Sequence, residues 1–479
     1  MTSVTQVCCE LEIAKSTPSP GGDVQSGALL AASCCGCCLV FVSGAVVNVA
    51  LAAIGRDLTL GSDQLQWIIN AELLPLAALT LLGGALGDRY GQRRTFLIGI
   101  ALFCAASLGC ALSIDWVQLV CGRFVQGVGE ALILPAGLTI LGGAFSSERK
   151  AAAVGIWSAS AAVASAIAPA VAGLILDHGS WRATFIMQVP LAGLAFIAAS
   201  AWVRDAPHDR APAPIDIPAA TLSILGLTAL GWSLMKLSDR TYNALHSLAG
   251  TLVAATLFFV LVLVERRKKQ SAMLPPALFA VRTVVSLNVF TLTLYGAFAA
   301  NLTLIPFVMI KGANLSALVA GLAFIPLQIL ITIISPMASM LCSRFGRRLP
   351  LVAGAVMTGL GCVAALRIGV DAQYWHDIFP SVLLVAIGMS LALAPMTTLV
   401  LTSVDASHAA TASGFNSAIS RAGSLAAVAL LGSVLQHSGA ELIGDFHEAM
   451  LISAVSCAVA VIAAISIAPP PASATASFP

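Results

Sequence analysis

Charge is what this sequence has little of. Of 479 residues only 10% are Asp, Glu, Lys or Arg, against about 25% in a soluble domain. With 58% of the chain hydrophobic, too few polar side chains remain to cover a water-exposed surface, and composition places the protein in a bilayer. The 24 basic and 22 acidic residues leave a net charge of +2, and the basic residues form no clustered face of the kind that holds nucleic acid. No Gly-Lys-Ser/Thr phosphate loop is present, so the energy source is expected to be an ion gradient, with no cofactor. His178, His208, His246, His376, His408, His437 and His447 fall in loops or near the ends of apolar runs, without metal-ligand spacing. Gly127-x-Gly129 follows no strand and is no dinucleotide loop. Neither an enzyme nor a metal site is expected.

Cysteine is not scarce, but most of the twelve lie within apolar runs. The cluster Cys34, Cys35, Cys37 and Cys38 would bring Cys34 and Cys38 together on a helix, as a metal or thiol site requires. With no His or carboxylate nearby in sequence, the favoured reading is small apolar residues in a tight helix.

Long apolar runs are what the chain has instead. Runs able to span a bilayer fall at 28–54, 65–87, 95–113, 116–144, 151–176, 183–203, 217–237, 245–264, 284–310, 316–342, 349–367, 378–403, 410–436 and 447–468, fourteen in all. The first is long and follows no basic stretch, so no cleaved signal peptide is expected. Arg89, Arg93 and Arg94, Arg149 and Lys150, Arg266 to Lys269, and Arg344, Arg347 and Arg348 all fall on one side of the membrane. The other side holds only Arg56, Arg182, Lys236, Arg240, Lys311 and Arg367. Basic loops face the cytoplasm, which puts both termini there.

The chain also echoes itself. The turn after the second run reads Gly84-Ala85-Leu86-Gly87-Asp88-Arg89-Tyr90-Gly91-Gln92-Arg93-Arg94. The turn after the tenth reads Ala338-Ser339-Met340-Leu341-Cys342-Ser343-Arg344-Phe345-Gly346-Arg347-Arg348. A duplicated six-helix unit accounts for the repeat. The expected organisation is a tail (1–27), a six-helix bundle (28–203), an inserted helix pair with linkers (204–282), a second bundle (283–468) and a short tail (469–479).

Only Glu72, Arg123, Glu130 and Arg421 lie well inside the spans. Each costs about 2.5–3.5 kcal/mol at a helix centre on insertion scales, so such charges face a bundle interior or a water-filled path. Arg123 and Glu130 stand seven residues apart, on nearly the same helical face, with Gln126 between them.

These residues carry a family resemblance. Gly84, Asp88, Arg89, Gly91, Arg93 and Arg94 resemble the first cytoplasmic turn of the major facilitator superfamily. Arg123-x-x-Gln126-Gly127-x-Gly129-x-Ala131 is similar to the helix-four signature of its fourteen-helix drug:proton antiporter branch. Trp67 to Asn70, Ser180-Trp181-Arg182-x-x-Phe185 and Val47 to Leu51 also resemble that branch. The resemblance implies an all-α membrane fold of two pseudo-symmetric six-helix bundles plus the inserted pair. It also implies alternating access, a bacterial inner-membrane location and a cytoplasmic gate at Asp88 to Arg94. Ser43 stands where relatives have an Asp on helix one, Ala45 and Ala52 replace a Thr and a Pro, and Ser343 replaces an acid in the second-half turn. Around Pro169 the glycine-rich antiporter pattern becomes Ala166-Ile167-Ala168-Pro169-Ala170-Val171-Ala172-Gly173.

With the helix-one acid gone, Glu130 becomes the candidate proton carrier, with Arg123 and Glu72 in the coupling set. Burial favours its neutral form and Arg123 its charged form. A structural pairing of Arg123 with Glu130 or Glu72 is the competing reading. Glu72, where relatives often have Tyr, doubles as a possible substrate determinant. Ser43, Asn48, Gln126, Tyr295, Asn301 and Arg421 are the candidate cavity residues, with Thr303 beside them. The expected function is proton-coupled export of small amphipathic or cationic compounds by a monomer whose partners are substrate, protons and lipid. A metabolite uniporter or symporter of the same fold, or a non-transporting receptor or scaffold, stays open at this point.

Overall fold

The turns that end the second helix of each half show why the chain folds as it does. Gly91 takes φ 102° and Gly346 φ 83°, left-handed conformations that glycine adopts without a Cβ penalty. The echo seen in the sequence is thus the same turn, used twice. The computed structural model describes residues 20–145, 147–203, 216–238, 244–268, 281–346, 348–404, 409–429, 432, 434, 437 and 439–467. The ends of the expected tails and most of the linkers around the inserted pair lie outside them.

The first half comprises α1 (Pro20–Asp57), α2 (Ser62–Tyr90), α3 (Gln92–Leu112), α4 (Trp116–Ala144), α5 (Ser147–His178) and α6, in two segments (Trp181–Ile186 and Gln188–Trp202). The inserted pair is α7 (Ile217–Ser238) and α8 (Ala244–Lys268). The second half comprises α9 (Arg282–Lys311), α10 (Ala317–Leu322 and Ile325–Phe345), α11 (Arg348–Ala364), α12 (Phe379–Thr402), α13 (Ala409–Ala429) and α14 (Ala440–Ile465). No strand is present among the described residues. Thirteen of these helices are long and apolar enough to cross a bilayer. The fourteenth, α13, carries Asn416, Ser417, Ser420, Arg421 and Ser424, which lower its apolarity.

Helix boundaries fall within a few residues of the expected runs, except that α1 already includes Pro20, ahead of 28, and α14 begins at Ala440 rather than 447. Side-chain caps fix other starts. Asp115 accepts from the Gln118 amide at 2.8 Å for α4, and Ser316 accepts from the Val319 amide at 3.2 Å for α10.

The packing has a twofold logic. In the first half α4 packs on α2 and α3, and α1 packs on α5 and α6. In the second half α12 packs on α10 and α11, and α9 packs on α13 and α14. The halves meet where α5 touches α10 and, by the same operation, where α13 touches α2, with α1 against α9 between them. At the α5–α10 contact the approach is backbone on backbone: a methyl group on Gly173 would overlap the Ala317 carbonyl. Asp177 then accepts from the Ala317 and Leu318 amides at 3.0 and 3.1 Å, closing that end of the molecule. The α2–α13 contact, toward the end bearing the Gly91 turn, sets the Leu81 side chain against Gly414.

The inserted pair docks through α7, which contacts α2 and α13, and α8 packs on α7. Lys236 of α7 pairs with Asp63 of α2 at 2.5 Å, and Ser233 bonds the Ser247 carbonyl and the Thr251 hydroxyl, both at 2.7 Å. At the other end Lys268 pairs with Asp216. Burial works against the Asp216 carboxylate, but Lys268, the Ala219 amide and Glu265 outweigh it and hold it below the ordinary value.

Candidate functional site

The site grows from the close packing of α4 on its neighbours. A methyl group on Gly127 would overlap the carbonyl of Glu72 on α2, and one on Gly129 would crowd the Gly99 carbonyl on α3. The glycines of the helix-four motif are therefore contact points. They bring the α4 backbone close enough for Arg123 to reach across to α2.

Arg123 is fully buried and fully engaged. Its guanidinium forms an ion pair with Glu72, donates to Ser43 Oγ at 3.0 Å and Gln126 Oε1 at 2.9 Å, and donates through Nε to the Ile68 carbonyl at 3.3 Å. The Phe185 ring lies 5.9 Å from its centre. Glu72 is equally occupied: Oε2 takes Arg123 and Oε1 takes the Ser43 hydroxyl. A buried pair with most of its donors and both carboxylate oxygens bonded is the arrangement in which two charges are tolerated in a low dielectric. Both Glu72 oxygens are thus bonded within the network.

Glu130, by contrast, is buried with Oε1 unpartnered. Its carboxyl contacts the Ser43 hydroxyl and lies in the electrostatic field of Arg123 and, from the other half, Arg421. A serine hydroxyl has one proton and two lone pairs. Ser43 gives its proton to Glu72 and accepts from Arg123, which leaves one lone pair for Glu130.

The other candidates separate into three groups. Asn48 is half-buried and bridges the halves, accepting from Thr303 of α9 at 3.3 Å. Tyr295 and Arg421 are also half-buried and are electrostatic neighbours, with Cys37 of α1 facing Arg421 as well. Gln126 and Asn301, expected to line the cavity, do not. Gln126 is buried toward α3, donating to Ser107 at 2.8 Å, and acts as a brace for Arg123. Asn301 is buried inside the second half, donating to the Ala297 carbonyl at 2.9 Å and Cys362 Sγ at 3.3 Å. One residue of helical phase separates a cavity face from a core face, and neither run carried a strong enough apolar stripe to fix that phase. Ser43, also expected in the cavity, is wholly buried within the charge network.

At the turn, Asp88 accepts from Gln92 of the same hairpin at 2.8 Å, and Arg93 donates to the Ser200 carbonyl of α6 at 2.7 Å. Asp88, Arg89 and Arg94 are exposed, while Gly84 and Gly91 are not. Reasoning from sequence missed Ser107, Asp177 and the cluster in which Asn416 donates to Asn288 at 3.1 Å and to Thr291 at 2.8 Å. Isolated polar residues on apolar helices carry no spacing that marks them. Among the described residues no group of His, Cys, Asp or Glu is placed to hold a metal ion, and Cys38 bonds the Ser160 carbonyl at 3.4 Å.

Two pseudo-symmetric six-helix halves, the first holding a buried charge network, define a multi-helix membrane transporter. The family model of the Major Facilitator Superfamily matches residues 33–427, and the chain belongs to that superfamily. It is 30% identical to the multidrug resistance protein Stp of Mycobacterium tuberculosis (strain CDC 1551 / Oshkosh), over 83% of this chain and 73% of that protein. To the tetracenomycin C resistance and export protein of Streptomyces glaucescens it is 28% identical, over 90% and 79%. Among solved structures, a peptide transporter POT in complex with sulfate superposes with a TM-score of 0.67 at 16% identity, covering 91% of this chain and 93% of that one. The inward-open xylose transporter XylE from E. coli gives 0.62 at 14% identity, covering 92% and 95%. The protein is a multi-pass membrane transporter of a family that includes multidrug efflux proteins, and not an enzyme.

Proposed function

We propose that the protein exports small amphipathic molecules in exchange for protons, with Glu130 as the proton carrier. The observation that carries this reading is the Ser43 hydroxyl, whose single proton is committed to Glu72 while it contacts Glu130. The network is saturated when Glu130 is protonated, and one acceptor faces another when it is not. Arg123, locked by Glu72, Gln126 and Ser43, supplies a fixed positive field that makes the proton removable. Export rather than uptake draws support from relatives named for resistance and export.

Alternating access follows from the two ends of the bundle. The α5–α10 end, taken as the outer face from the positions of the basic loops, is held by backbone contact and by Asp177. Asp88 at the opposite end bonds within its own hairpin, the arrangement of an open cytoplasmic gate. Closing the gate would exchange Gln92 for a partner on the other half. Both termini are then cytoplasmic, and one chain holds the whole path.

The test uses purified protein in liposomes with an imposed pH gradient and a fluorescent dye. Wild-type protein should move dye when the gradient is present and stop when a protonophore collapses it. Glu130→Gln should still bind dye but lose the response to the gradient. Gradient-driven transport by Glu130→Gln at the wild-type rate would refute the carrier assignment, and unchanged transport by Asp88→Asn would refute the gate.

A further inference from the structure

At the α5–α10 end, a cavity of about 770 Å³ lies between the halves, large enough for a drug-sized ligand. Val49, Ala52 and Arg56 line it from one face of α1, spaced i, i+3 and i+7. Leu176 of α5 adds to that wall, and Ile310 and Leu315 line it from the second half. One residue deeper, Asn48 accepts from Thr303 of α9 at 3.3 Å, so α1 and α9 meet at its inner end. Two acids also line the cavity, and both are taken. Asp57 accepts from Trp181 at 2.8 Å and Arg182 at 2.6 Å, and the Asp177 oxygens hold the Ala317 and Leu318 amides. Arg56 is different. It is exposed, and its Nε bonds the Ala52 carbonyl of its own helix at 3.4 Å. Among the described residues no acid pairs with it, which leaves the other guanidinium N–H groups without an acceptor. Lys311 follows Ile310 and stands eight residues beyond Thr303, as Arg56 stands eight beyond Asn48. It too is exposed and pairs with no acid among the described residues. Its ammonium lies 5.4 Å from the Phe307 ring and within the electrostatic reach of Arg56.

From this cavity we infer a second ligand site: it binds amphipathic anions, the anionic group on Arg56 and the apolar body against Val49, Ala52, Leu176, Ile310 and Leu315, and a bound anion holds this end of the protein closed. A cation entering the cavity finds both carboxylates already bonded and meets the unpaired Arg56. An anion finds free donors. Lys311 attracts it from the second half, and the anion relieves the repulsion between two like charges that face each other across the halves. The two halves supply opposite walls, and the cavity adjoins the contact in which Gly173 lies against the Ala317 carbonyl. When α5 parts from α10 the walls separate, and one ligand no longer touches both. A ligand that binds one state better shifts the protein toward it, so the anion stabilises the closed end and slows the transport cycle. Its location on the outer side rests on the orientation given by the basic loops. The chemistry of the site does not depend on that orientation or on the role of Glu130.

Two fluorescent probes on one ring system test this: 1-pyrenesulfonate, an anion, and 1-pyrenemethylamine, a cation. Binding is read by anisotropy with the full-length protein in phosphatidylcholine nanodiscs, with empty discs subtracted and thermal unfolding of each variant as the control for folding. Wild-type protein should bind the sulfonate saturably and about tenfold or more tightly than the amine, the ratio that one charge-assisted hydrogen bond produces. Arg56→Gln should lose that preference and Arg56→Lys should keep it. Arg367→Gln, which removes an exposed arginine outside the cavity lining, should change nothing. Gly173→Ala, which forces α5 off the Ala317 carbonyl, should weaken sulfonate binding severalfold by depleting the closed state. Phosphatidylglycerol in the discs should displace the sulfonate if a lipid headgroup is the native occupant, and leave it bound if a soluble anion is. In vesicles of defined orientation the sulfonate should slow dye transport from the outer side alone. Equal binding of both probes by wild type, or wild-type sulfonate binding by Arg56→Gln, would overturn the site. Unchanged binding by Gly173→Ala would overturn its link to closure. Because binding is read without a gradient, these results stand apart from the test of Glu130 as proton carrier.

Discussion

Removing the Ser43 hydroxyl gives the sharpest test of the charge network. In Ser43→Ala, Glu72 loses a donor, Arg123 loses one of its acceptors, and Glu130 loses the oxygen that receives its proton. Glu72 and Arg123 still hold each other, and Arg123 keeps Gln126 and the Ile68 carbonyl. The uncompensated loss falls on protonated Glu130. A hydrogen bond of this kind is worth about 1.5 kcal/mol, and 1.36 kcal/mol is one pH unit. The sign follows from which form the bond stabilises. Ser43 accepts from the protonated carboxyl, so its removal weakens proton binding, and the pH midpoint of gradient-driven transport should fall by about one unit. Ser43→Thr keeps the hydroxyl and should hold the wild-type midpoint. The assay is dye transport by proteoliposomes over a pH series, with thermal unfolding of each variant as the control for folding. An unchanged midpoint would show that Ser43 does not touch the carrier. A midpoint that rises would show that Ser43 donates to Glu130, which would reverse the proton assignment.

The remaining expectations concern the frame around the carrier. Glu72→Gln and Arg123→Gln should each destabilise the protein by about 3–5 kcal/mol, because each leaves a buried charge unpaired. The double variant should cost much less than their sum, and additivity in chemical denaturation would refute the pairing. Gly127→Ala forces α4 away from the Glu72 carbonyl and should cost about 1–3 kcal/mol, as overpacking does. It should also slow transport, and wild-type stability and rate would refute the close approach. Asp216, held below its ordinary value of 3.8, stabilises the inserted pair above that pH. That contribution should fade as the pH drops through the lower folded value, and Asp216→Asn should remove it. An Asp216→Asn variant with the wild-type acid profile of thermal unfolding would show that Lys268 and Asp216 contribute nothing there.

Much of this protein could be read directly from its residues. Apolar runs of sufficient length fix fourteen helices, because a backbone in lipid must bond to itself. The repeated glycine turn fixes the duplication, since Gly91 and Gly346 occupy a conformation that other residues avoid. The rarity of buried charge marks Glu72, Arg123, Glu130 and Arg421 without any knowledge of their contacts, because the bilayer tolerates few such residues outside functional paths. How those four are paired was decided only by tertiary structure. Arg123 and Glu130 share a helix face, yet Arg123 is taken by Glu72 from α2, and Glu130 is left to Ser43 on α1 and Arg421 on α13. Sequence spacing places side chains along one helix. Which neighbour meets them depends on the rotation and depth at which separate helices pack, and the close approach at Gly127 and Gly129 sets that. The same rotation buried Gln126 against Ser107 and Asn301 against Cys362 and set Tyr295 beside Arg421, pairings that exist only in the folded protein.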